Sequence, residues 1–125
     1  MPPRLNELAI LITARAWSAQ YEWYAHHQLA MKAGLSESVA DDLAAGRRPS
    51  GLKADEAAVY DFTKELVDSH QVSDAHFKAV VDALGERGAV DLMGTIGYYH
   101  MMSILMNVDR YPMPAGVRPP LQALN

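Results

Sequence analysis

The stretch Tyr21-Glu22-Trp23-Tyr24-Ala25-His26-His27 holds the densest set of proton-moving side chains in this sequence. Glu22 and His26 stand four residues apart, so on a helix they share one face and their side chains can meet. A carboxylate beside an imidazole raises its basicity and fixes its orientation, which is what a general base near neutral pH requires. Trp23 and Tyr24 would supply a low-dielectric wall, with Trp23 as a candidate substrate contact. The same spacing also describes an ordinary surface Glu–His pair, worth roughly a few tenths of a kcal/mol to its helix.

The other histidines carry less. His27 is turned about 100° from His26 around a helix and is expected to face solvent or an interface. His70 and His76 flank a loop and are expected to be solvated. His100 sits in an apolar segment, where a buried, hydrogen-bonded structural role fits better than a site role. No glutamate has a histidine three residues later, and HExxH is absent, so neither a bundle di-iron site nor a zincin site is expected. Glu7, Glu22 and His26 could still hold a single ion, but no metal and no cofactor is expected. Glycine-rich phosphate loops and nucleophile elbows are missing as well.

With no cysteine, the 125-residue chain has no disulfides, thiolate nucleophiles or thiolate metal sites. Eleven Lys and Arg against fifteen Asp and Glu leave a net charge of −4 with the basic residues scattered, so no nucleic-acid partner is expected. Met1-Pro2-Pro3-Arg4 runs directly into an amphipathic segment and not into a signal-like apolar run, which points to a cytoplasmic protein. The segment 90–108 is apolar enough to raise the question of a membrane span. It contains Asp91, His100, Ser103 and Asn107, however, and such groups are costly in a bilayer, so no membrane association is expected.

The elements that must position these residues are all helices. Leu5–Trp17 is predicted as the first, preceded by Pro2 and Pro3, and residues 19 or 20 to 33 as the second, ended by Gly34. Ser36 is placed to cap a short third helix ending at Gly46, and Arg47-Arg48-Pro49-Ser50-Gly51 is the clearest loop. A fourth helix spans about 54–70, and Ser73 caps a fifth with Phe77, Val80, Val81 and Leu84 as its apolar stripe. Gly85 and Gly88 bracket a break before a sixth, about 90–108. The prediction is a single all-α domain of about six helices over 1–125, with an ordered core at about 5–112 and a loose tail at 113–125.

Two of these helices are apolar all the way round. Leu8, Ala9, Ile10, Leu11 and Ile12 cover every direction of the first, and Ile96, Tyr99, Met101, Met102, Ile104, Leu105 and Met106 nearly do so for the last. A helix apolar on every side must be buried on every side, which favours burial against another subunit. Gly94 and Gly97 would permit close backbone approach there. The alternative is one unusually central helix and loose patterning.

The spacing His26-x3-Ala30-x3-Gly34-Leu35-Ser36 resembles a helix end of the carboxymuconolactone decarboxylase / alkylhydroperoxidase D-like family. That family's motif is a glutamate, eleven residues, Cys-x2-Cys, three residues and a histidine. Counted back from His26, the cysteine positions fall on Glu22 and Ala19 and the leading glutamate on Glu7. The form Glu22-Trp23-x-x-His26 is similar to the decarboxylase-type branch. Gly97-Tyr98-Tyr99-His100-Met101 and Leu105-Met106-Asn107 are similar to a segment of the family's last helix. The resemblance covers about 5–112; many members carry further residues ahead of the first helix, so a short or truncated member is expected.

The resemblance implies an alkylhydroperoxidase D-like helical domain that assembles into a homo-oligomer, a trimer or hexamer, acting on a small molecule. Thiol peroxidase chemistry needs a thiolate, and neither Ala19 nor Glu22 supplies one. What remains is a catalytic set of Glu7, Glu22 and His26 for acid–base, lyase-type chemistry on a small carboxylated or lactone substrate. Two carboxyl groups near one histidine should have separated proton affinities, one acid held protonated and one ionised. In the decarboxylase branch, loss of CO2 is paired with protonation of a dienolate; Glu22 and His26 would deliver that proton and Glu7 would orient or recharge His26. An anionic substrate also wants a cation. Arg15, eight residues beyond Glu7, is the candidate on this chain, against a neighbouring subunit's group or a plain exposed role for Arg15. The alternatives are a non-catalytic oligomeric relative with a degenerate site, or a peroxidase-like member whose thiol activity is lost.

Overall fold

A computed structural model describes residues 1–124 as helices α1 (Pro3–Trp17), α2 (Gln20–Lys32), α3 (Glu37–Ala44), α4 (Ala54–Ser69) and α5 (Asp74–Asp109), with no strand among the described residues. Pro3 opens α1 where its missing N–H costs nothing, and Ser18, in the left-handed region at φ 47°, closes it. Ser18 N–H donates to the Arg15 carbonyl and Ala19 N–H to that of Ala14, so the chain reverses within two residues into α2.

Helix α1 is the centre of the molecule and touches all four other helices. Leu5, Leu8, Ala9, Ile10, Leu11, Thr13 and Ala14 are completely buried. Its all-round apolarity is therefore satisfied within one chain. Thr13 meets this environment by donating its hydroxyl to the Ala9 carbonyl one turn back.

Polar bonds fix how the helices lie against α1. Thr95 donates to Asn6 Oδ1 near its start, and the Trp17 indole N–H donates to His100 Nδ1 near its end. Asn107 Nδ2 donates to the Trp17 carbonyl just beyond, so the second half of α5 runs in the same direction as α1. At the start of α4, Arg4 grips Asp55 at 2.7 Å and the buried Glu56 at 2.5 Å.

The helix count is five, a correction to the six predicted. The two segments divided at Gly85 in the sequence form one element with a kink: Gly85 has φ 78° and ψ 170°, a conformation essentially reserved for glycine. Gly88 is needed beside it, because a Cβ there would lie 2.5 Å from Leu84 Cβ. The tail also differs from its predicted looseness at one point. Leu121 is buried, its N–H donates to Gln20 Oε1, and its carbonyl accepts from Gln20 Nε2, each at 2.9 Å. Among the described residues no helix is long and apolar enough to cross a membrane.

Candidate functional site

The short α1–α2 connection lays α2 back along α1 and brings Glu7 to His26. His26 Nδ1 and Glu7 Oε2 are 2.7 Å apart, both side chains mostly buried. With a carboxylate as partner, Nδ1 carries the hydrogen and donates it, which fixes the tautomer and leaves Nε2 as the ring's remaining basic position. Among the described residues Nε2 has no hydrogen-bond partner. The Tyr99 ring on α5 meets the imidazole edge-on, with centroids 5.0 Å apart.

One turn earlier on the same face, Glu22 is 1% exposed. It does not bond His26. Ser103 on α5, itself fully buried, donates its hydroxyl to Glu22 Oε2 at 2.6 Å. Glu22 Oε1 has no partner. Burial pushes the Glu22 carboxyl above its usual range, against the opposing pull of the Ser103 hydrogen bond and of the nearby His26. The Tyr99 phenol is likewise pushed up, first by burial and then by the charge of Glu7.

A cavity of about 190 Å³ lies between α2 and the second half of α5. Glu22 and His26 both line it, with Tyr21, Tyr98, Tyr99 and Met102 among its other walls. The three residues expected to act together are thus brought together, Glu7 through its bond to His26. The carboxyl bonded to the imidazole is Glu7, nineteen residues away, and not the helical neighbour Glu22.

Arg15 and Trp23 lie elsewhere. Trp23 is packed in the core with its ring stacked on His27, centroids 6.2 Å apart, so the side chain one residue past Glu22 turns away from the cavity Glu22 lines. Arg15 donates Nε to the Ala44 carbonyl and borders a separate cavity near α3 and α4. Ser103 and Tyr99 were not selected from sequence. Their signal was a serine in an apolar helix with a tyrosine four residues before it, a spacing that puts both on one face.

Three of the four remaining histidines have side-chain partners. His100 accepts from Trp17, and burial, with the charge of His70 adding to it, lowers its proton affinity. His76 pairs with Glu65, and His27 approaches Glu37 at 3.4 Å. No group of three or more metal-ligating side chains is assembled among the described residues. Compared with family models, curated proteins and solved structures, the chain finds no match.

Proposed function

We propose that this chain is a proton-transfer enzyme of the carboxymuconolactone decarboxylase-like kind, a lyase acting on a small carboxylated or lactone substrate held between α2 and α5. The observation that carries this reading is Glu22: a buried carboxyl whose proton affinity that burial raises, with one oxygen unpartnered, beside an imidazole with a free nitrogen and a cavity they share. With Oε2 engaged by Ser103, Oε1 is the oxygen left free to carry a proton toward the substrate. That makes Oε1–H a donor with no protein acceptor, which is what a general acid requires.

In the decarboxylation, the C–C bond to the substrate carboxylate breaks and its electron pair passes into a dienolate. Glu22 Oε1–H protonates the dienolate carbon as CO2 leaves. The Glu22 anion is then reprotonated from His26, which takes a proton from solvent, while Glu7 holds Nδ1 and so aims Nε2. Tyr99 and Met102 exclude water from one side and strengthen each of these interactions.

The same reading includes self-association through α5. Tyr98 lines the cavity and is 52% exposed, and it continues into an uncovered apolar face with Met101 and Leu105. A second copy seated there would close the open side of the cavity. It could also bring the cation that an anionic substrate wants, since none lines this cavity within the chain.

The test is a panel of lactones and β-keto or vinylogous acids turned over by wild type and by His26→Ala. Loss of about a hundredfold or more on whichever substrate reacts is expected, the size of a general acid–base contribution. Equal rates from the two proteins would defeat the site, and turnover by neither would favour a structural network. Thiol-dependent hydroperoxide reduction should stay at the uncatalysed background.

A further inference from the structure

A second cavity, of about 170 Å³, opens where the end of α1 meets α3 and α4, and it shares no lining residue with the first. Ile12, Leu43 and Val67 form an apolar wall, and Arg15, Tyr60 and Lys64 a polar one. No acidic residue lines it.

Arg15 is built into this site. Its Nε is tied at 2.9 Å to the Ala44 carbonyl, the one among the last four carbonyls of α3 that no backbone N–H reaches. Its Nη2 lies where residue 46 has no side chain: a Cβ on Gly46 would stand 3.0 Å away, and Gly46 sits at φ 79°, strained for other residues. Among the described residues Arg4, Arg47, Arg48, Lys64 and Lys78 have carboxylate partners, and of the Lys and Arg side chains without one, Arg15 alone is not exposed. A half-buried guanidinium with one nitrogen anchored and the others uncompensated is prepared for an anion.

The neighbours agree. Tyr60 is 6% exposed, its hydroxyl has no partner among the described residues, and burial keeps it protonated and able to donate. The Arg48 guanidinium lies over the Tyr60 ring, 5.6 Å from its centroid, adding positive charge behind it. Lys64 is held only by an exposed pair with Asp68, which an incoming anion can displace at little cost.

We propose that this cavity binds a small organic carboxylate, with the carboxylate on Arg15 and Tyr60 and an apolar ring or chain against Ile12, Leu43 and Val67. The volume suits a ligand of about benzoate size, since a cavity of roughly 150 Å³ accepts benzene. Inorganic phosphate would leave the apolar wall unmatched. The site stands apart from the Glu22–His26 cavity and does not depend on how that one is used.

Titrating the full chain with benzoate, benzamide and inorganic phosphate, followed by amide NMR shifts, tests this. Saturable benzoate binding with shifts centred on Ile12, Gly46 and Val67 is expected. Arg15→Gln should weaken it by about tenfold or more, as should replacing benzoate by neutral benzamide. If Arg15→Gln fails to fold because Ala44 loses its donor, Tyr60→Phe serves instead, with an expected loss of about threefold or more. Equal affinity for benzoate and benzamide would overturn the proposal, as would unchanged affinity in a folded Arg15→Gln or Tyr60→Phe protein. Shifts confined to Tyr99 and Met102, phosphate binding as tightly as benzoate, or no saturable binding would do the same.

Discussion

Helix α1 and the second half of α5 look alike in sequence, each apolar in nearly every direction, yet they end in opposite circumstances. Leu8, Ile10 and Leu11 of α1 are 0% exposed, enclosed by the chain's own helices, whereas Tyr98, Met101, Ile104, Leu105 and Val108 of α5 are 44% exposed or more. The difference is one of position. Helix α1 is surrounded, while α5 packs one side against α1 and α4 and leaves the other open. All-round apolarity demands burial without saying what provides it. For α1 the chain itself does; for α5 the uncovered face is the basis of the self-association proposed above.

The largest expected effect of breaking this contrast is on α1. Leu11→Ala should lower unfolding stability by about 2–5 kcal/mol, measured by denaturant titration, because a surrounded cavity cannot collapse. Leu105→Ala on α5, measured below the concentration at which copies associate, should change stability by no more than about 0.5 kcal/mol. Comparable losses from both would mean the two helices are not in different surroundings.

Assembly sharpens the contrast from the other side. Leu105→Glu should reduce the mass measured by light scattering to that of a single chain and leave the helical circular dichroism unchanged, since the charge enters a face that the chain's own helices leave open and that the proposed assembly would cover. A wild-type protein that is already a single chain at about 100 μM would remove α5 self-association from the proposal, 100 μM being well above the roughly μM constants of modest interfaces.

The smallest expected effect is a pH dependence. Glu22 has its folded-state proton affinity raised above the ordinary value of 4.5, so its contribution to stability is fully present below that pH and is lost as pH rises through the raised value. Wild type should therefore lose stability relative to Glu22→Gln as pH climbs from about 4.5 toward neutrality. A difference that is flat, or that slopes the other way, would contradict the burial argument. Ser103→Ala removes the hydroxyl that favours the charged form and should steepen the decline.

What the sequence made legible follows the range of the interactions concerned. Helices α1 to α4 lie within a few residues of their predicted bounds because their stops are local: Ser18 and Gly34, Gly46 and His70 end them by their own backbone conformations. Gly85 was legible as a break, but whether it divides two helices or kinks one depends on the packing of Leu84 against Gly88. Glu22 and His26 were legible as a pair because four residues make one helical turn. That Ser103, eighty-one residues on, would hold Glu22 is a tertiary fact, as is the Gln20 clamp on Leu121. Arg15 and Trp23 were drawn toward the wrong cavity for the same reason: a single residue's step rotates a side chain by about 100°, and only neighbouring helices decide what it meets.

The protonation of Glu22 is the hinge of the functional proposal. Carbon-13 NMR of its side-chain carboxyl, assigned by comparison with Glu22→Gln, reads it directly. A midpoint clearly above 4.5, with the resonance further displaced in Ser103→Ala, is the expected result. Titration at or below 4.5 would make Glu22 an ordinary carboxylate and remove the general acid from the site.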